Sequence, residues 1–94
     1  MNQKTTYVEK LSAEMVAWEV HIERLKEKAE TASPEKKFEH YKTISALQFK
    51  RDEAAKKLQG ISLASDHEWE EFKSGTERIR SEMGNLLSAA IKNT

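Results

Sequence analysis

Apolar residues in the first third of the chain fall at Val8, Leu11, Met15, Trp18, Ile22, Leu25, Ala29 and Ala32, in alternating steps of three and four. Almost everything between them is polar or charged. Such spacing puts every apolar side chain on one stripe of an α-helix and is incompatible with the two-residue alternation of a strand. Sustained over more than three heptads, it is also the seam of a coiled coil or a slender bundle. The spacing predicts a first helix over about 6–32. Thr6 and Glu9, three residues apart, read as a capping box at its start.

Pro34 sets the next boundary. It lacks an N–H and disfavours helical geometry at the preceding residue, yet it suits the first position of a new helix, with Ser33 as N-cap and Glu35 in the first turn. A second helix over about 34–59 carries Tyr41, Ile44, Leu47, Arg51, Ala54, Ala55, Leu58 and Ile61 on one broad face, with Gly60 placed as its C-terminal cap. Ser65 and Glu68 repeat the capping-box pattern. A third register then runs through Trp69, Phe72, Thr76, Ile79, Met83, Leu86 and Ala90, giving a helix over about 65–92, weakened at Gly75 and Gly84.

Three helices of similar length with short joints predict an all-α fold, an up-down-up three-helix bundle or antiparallel coiled coil. One alternative competes. The third register extends backwards through Ser65, Ser62, Leu58, Ala55, Arg51, Gln48 and Ile44 without a phase slip, so a single continuous helix over 34–92 would make a long helical hairpin. Either way the 94 residues form one domain, with flexible ends expected at about 1–5 and 92–94.

The 16 Lys and Arg balance the 16 Asp and Glu, which argues against a protein whose main task is gripping nucleic acid. With no Cys, a disulfide scaffold, a thiolate metal site and a cysteine nucleophile are excluded. The longest apolar run, Met15 to Trp18, is too short to span a bilayer. The N-terminus lacks the basic stretch and apolar core of a signal peptide, so a cytoplasmic location is expected.

Catalytic patterns are missing. His21, His40 and His67 are scattered, no Glu-x-x-His motif occurs, and His67 with Glu71 one turn on reads as a solvent-facing pair. The three glycines stand apart, so there is no phosphate-cradling loop, and the serines read as caps and surface residues with no His and Asp arrangement that would activate one. The sequence therefore predicts a non-enzymatic protein with no cofactor, no metal and no small-molecule substrate.

Binding features remain. Residues 1–33 carry 5 basic and 6 acidic side chains, 34–60 carry 7 and 4, and 61–94 carry 4 and 6. The basic middle segment suits acidic neighbouring helices, within one chain or between chains, and offers a secondary reading as a nucleic-acid contact. Trp18 and Trp69 lie in the apolar register, where packing outweighs partner recognition. Phe49 lies off the main stripe and either packs on the third helix or marks a partner or self-association surface. Arg51 sits on the apolar face near the level of Trp18, and its guanidinium is expected along an aromatic face with its head reaching solvent.

Tyr7-Val8-Glu9-Lys10-Leu11, Trp18-Glu19 and Ile22-Glu23-Arg24-Leu25-Lys26-Glu27-Lys28-Ala29 resemble segments of short bacterial coiled-coil proteins described as stress-response related. So do Lys50-Arg51-Asp52-Glu53-Ala54-Ala55-Lys56-Lys57-Leu58 and Trp69-Glu70-Glu71-Phe72-Lys73-Ser74-Gly75. The similarity runs over about residues 7–85. The chain departs at Ser33-Pro34, which that family typically lacks, and at Ile79-Arg80, near which it often has a further aromatic. The resemblance implies a small cytoplasmic all-helical protein with no assigned catalytic residues. The function expected is a self-associating helical interaction or scaffold protein whose partner is itself or another helical protein. An apolipoprotein-type membrane-surface binder is the alternative.

Overall fold

The computed structural model describes residues 3–92. Three α-helices follow one another: α1 (Gln3–Glu30), α2 (Pro34–Leu63) and α3 (Trp69–Lys92). They form a rod of about 50 × 19 × 18 Å. The all-α three-helix bundle is therefore the architecture, with α2 antiparallel to both neighbours.

Cross-helix contacts fix the registers. Arg51 meets Glu19 at 2.7 Å between α2 and α1. Lys50 meets Glu82 at 3.3 Å between α2 and α3. The latter pair is 32 residues apart, which an unbroken helix would separate by roughly 48 Å at 1.5 Å per residue. The continuous helix over 34–92 is thus overturned. α2 stops because Ala64 turns extended (φ −75°, ψ 152°), its N–H donating to the Ile61 carbonyl. The Lys4 ammonium of α1 then takes the Ala64 carbonyl at 2.8 Å. The Ser65 hydroxyl accepts the Glu68 N–H at 3.3 Å, as the capping pattern anticipates. Residues 66–68 form a turn before α3.

Helix boundaries differ from the sequence reading at both ends of α1, at the end of α2, which runs to Leu63 and not 59, and at the start of α3, which is Trp69 and not 65 because residues 66–68 turn first. α1 already includes Gln3, so Thr6 and Glu9 lie inside it and do not form a capping box, and residues 3–5, expected in a flexible end, are its first turn. Residues 1, 2, 93 and 94 lie outside the described residues. α2 begins at Pro34 as expected, although it is the Ser33 carbonyl that engages the helix, accepting the Lys37 N–H at 2.7 Å, while the Ser33 hydroxyl makes no capping bond. Gly60 does not cap α2 but lies within it, with ordinary helical backbone. Its role is to leave room: a Cβ there would stand 2.9 Å from Cε1 of Phe72 on α3.

The core follows the heptad registers. Leu11, Ile22, Leu47, Ile61 and Met83 are fully buried, flanked by Trp18 and Trp69. Full burial of each such aliphatic side chain is worth about 1.5–3 kcal/mol. Thr76 is the one buried polar residue among the described residues, and its hydroxyl donates to the Phe72 carbonyl at 2.7 Å, which removes the cost of an unpaired group. Tyr41 and Ala55, assigned to the inner face of α2 from the sequence, are exposed. They lie at the edge of a stripe whose centre is Ile44, Leu47, Ala54 and Ile61.

Candidate interaction surfaces

The four residues singled out from the sequence go to different places. Trp18 and Trp69 are 7% and 5% exposed, so both pack in the core. Phe49 is 64% exposed and points to solvent; it does not pack into the α2–α3 interface. Arg51 is at the level of Trp18, as expected, but its partner is different. Its Nη1 donates to Glu19 at 2.7 Å, and Nε and Nη2 donate to Asp52 at 3.2 and 3.1 Å. The ring-stacking expectation is corrected: a carboxylate one residue from Trp18 offers a charge-assisted bond stronger than a ring face.

The aromatic–cation cluster occurs elsewhere, between α1 and α3. Tyr7 and Trp69 lie with ring centroids 5.8 Å apart, tilted by 46°. The Lys73 ammonium stands 5.6 Å from both rings, and the Arg80 guanidinium 5.7 Å from Tyr7. Arg80 grips Glu14 through two bonds, from Nε at 2.8 Å to Oε2 and from Nη2 to Oε1, and also donates to Glu77 at 2.8 Å. The Glu14 carboxylate, ahead of the other partners, holds the guanidinium charged well above its ordinary range. The Tyr7 hydroxyl is buried without a hydrogen-bond partner. Burial raises its pKa, and the nearby Arg80 only partly offsets this. Heptad reading could not find this cluster because Glu14 and Arg80 are 66 residues apart.

At the opposite end the core thins to Ala29 and Ala90. There a groove of about 520 Å³ opens between α2 and α3, floored by Leu25, Leu86 and Ala90, with Lys36 and His40 among its lining. A smaller one of about 260 Å³ flanks the other side of Ala90, with His21, Arg24 and Lys28 along it. Arg24 and Lys28 lie beside the C-terminal turns of α3, where their charges complement its dipole. Among the described residues no cluster of three or more His, Cys, Asp or Glu could hold a metal ion. None of the described helices is long and apolar enough to cross a membrane.

The outer surfaces of the helices are unequal. Val16 (65% exposed) and Val20 lie on α1, and Phe38, Tyr41, Phe49 and Leu63 (81%) on α2. On α3, by contrast, Ser74, Arg78, Ser81, Asn85 and Ser88 form an exposed polar stripe, and among the described residues Ile91, near the end of the helix, is its one large exposed apolar side chain. Sequence inspection found only Phe49 among these. Val16 and Val20 carry a local signal, four residues apart, whereas Phe38, Phe49 and Leu63 are too widely spaced to form a continuous apolar stripe. Comparison of the chain with protein-family profiles, with curated proteins and with solved structures finds no match.

Proposed function

We propose that this protein is a non-enzymatic helical interaction module that associates with itself through the outer faces of α1 and α2. The observation that carries this reading is the concentration of large exposed apolar side chains on α1 and α2. Scattered surface hydrophobics are ordinary, but six of the seven large exposed apolar side chains among the described residues lie on α1 and α2, and α3 carries only Ile91 near its end; such concentration is the pattern of an interaction surface. A core that narrows to alanine at one end gives such a small bundle a further reason to associate. The similarity to short bacterial stress-related coiled-coil proteins suggests a cytoplasmic stress setting for the assembly.

The test is a pair of surface substitutions followed by size-exclusion chromatography at matched concentration. Val20→Glu on α1 should delay elution relative to the parent chain, with unchanged helicity by circular dichroism. Ser81→Glu on α3 should leave elution unchanged. If both variants elute with the parent, the outer faces do not mediate association.

A further inference from the structure

On α1 the residues opposite the buried face are Glu9, Ala13, Val16, Val20, Glu23 and Glu27, all exposed. On α2 the corresponding stripe contains Phe38, Lys42, Ser45, Phe49, Asp52 and Lys56, also all exposed. Within these stripes two triplets share one spacing. Glu9, Val16 and Glu23 are seven residues apart, and so are Lys42, Phe49 and Lys56. One is acid–apolar–acid and the other base–aromatic–base. Seven residues return a side chain to nearly the same face of a helix, about 10.5 Å along its axis. The triplets therefore match in length, in shape and in sign, whether the helices run parallel or antiparallel.

We propose that the α1 stripe of one copy docks on the α2 stripe of a second copy, with Val16 against the partner's Phe49 and Glu9 and Glu23 beside the partner's Lys42 and Lys56. This rests on the self-association reading above and names its geometry. Glu23 already meets Lys26 at 3.3 Å, and Lys42 lies 3.9 Å from Glu39 and 5.2 Å over the Phe38 ring. These are exposed contacts of small net worth, so they yield to partners across an interface. Each stripe lies opposite its own helix's buried face, so the two point in different directions and one flat face cannot cover both. The contact is consequently head-to-tail. Each added copy leaves one α1 stripe and one α2 stripe open, and the assembly closes as a ring or grows as a chain.

The decisive experiment mixes two variants, Val16→Glu and Phe49→Glu, each spoiling one half of the contact. Both sites are exposed, so helicity by circular dichroism should match the parent. Light scattering should show each variant alone as a monomer while the parent chain forms assemblies larger than a dimer. An equimolar mixture should give a 1:1 dimer that grows no further, because only the Phe49→Glu copy's α1 stripe and the Val16→Glu copy's α2 stripe remain intact. A parent that associates while Phe49→Glu still associates alone, or a mixture that stays monomeric, overturns the head-to-tail geometry and leaves self-association standing. A parent that is monomeric throughout overturns both.

Discussion

At the scale of single residues, the glycines show how one amino acid serves opposite ends. Gly60 and Gly84 both lie inside helices with ordinary backbone geometry. A helix-interior Gly costs about 1 kcal/mol relative to Ala. Nothing lies within 4 Å of a Cβ built at Gly84, whereas at Gly60 the Phe72 ring is 2.9 Å away. Gly84→Ala should therefore stabilise the fold by about 1 kcal/mol in urea unfolding. Gly60→Ala should lose that gain and destabilise instead, since the ring must move. Tyr7 provides a second residue-scale test. Burial raises its phenol pKa above the ordinary value of 10.0, so the folded state holds the proton more tightly than the unfolded chain. The stability this represents is complete below pH 10 and is lost as pH rises through the folded value. Tyr7→Phe should flatten the decline in thermal stability on the alkaline side. With its hydroxyl buried and unpartnered, removing it should cost little or nothing near pH 7.

At the scale of helices and their joints, Ser65 and the Arg80–Glu14 pair hold α3 at its start and along its length. Ser65→Ala removes a hydroxyl that accepts the Glu68 N–H and should cost about 1 kcal/mol by chemical denaturation. The Glu14 and Arg80 side chains are 39% and 26% exposed, so a double-mutant cycle to Ala should give a coupling of about 1 kcal/mol, at the upper end for surface pairs. This scale also shows what the sequence could and could not convey. The registers through Leu11, Trp18, Ile22, Leu25 and through Thr76, Ile79, Met83 were legible because heptad spacing is local and each position is buried as read. Gly60 was misread as a cap because its purpose, space for Phe72, depends on a residue of another helix. Arg51 went to Glu19 and not to Trp18 for the same reason: the choice between two adjacent partners is made by side-chain reach in three dimensions. The Tyr7–Trp69–Arg80 cluster had no local signature.

At the scale of the whole molecule, the proposed docking makes the rod, with its matched stripes on α1 and α2, a unit of a larger assembly. Under that proposal the net charge of zero reflects opposite charges that meet across copies as well as helices paired within one. Lys42→Glu with Lys56→Glu should weaken association about tenfold by placing like charges opposite Glu9 and Glu23, with the bundle's own melting temperature little changed. Raising the salt concentration should weaken the parent's association only in part, because Val16 and Phe49 are unaffected by screening. The most direct measurement of the central claim is molar mass by light scattering over a hundredfold range of concentration, for the parent chain and Phe49→Glu side by side. Self-association through the outer stripes predicts a parent mass that climbs from 10.8 kDa past twice that value, while the variant stays at the monomer mass. A parent chain that holds 10.8 kDa at every concentration would contradict it.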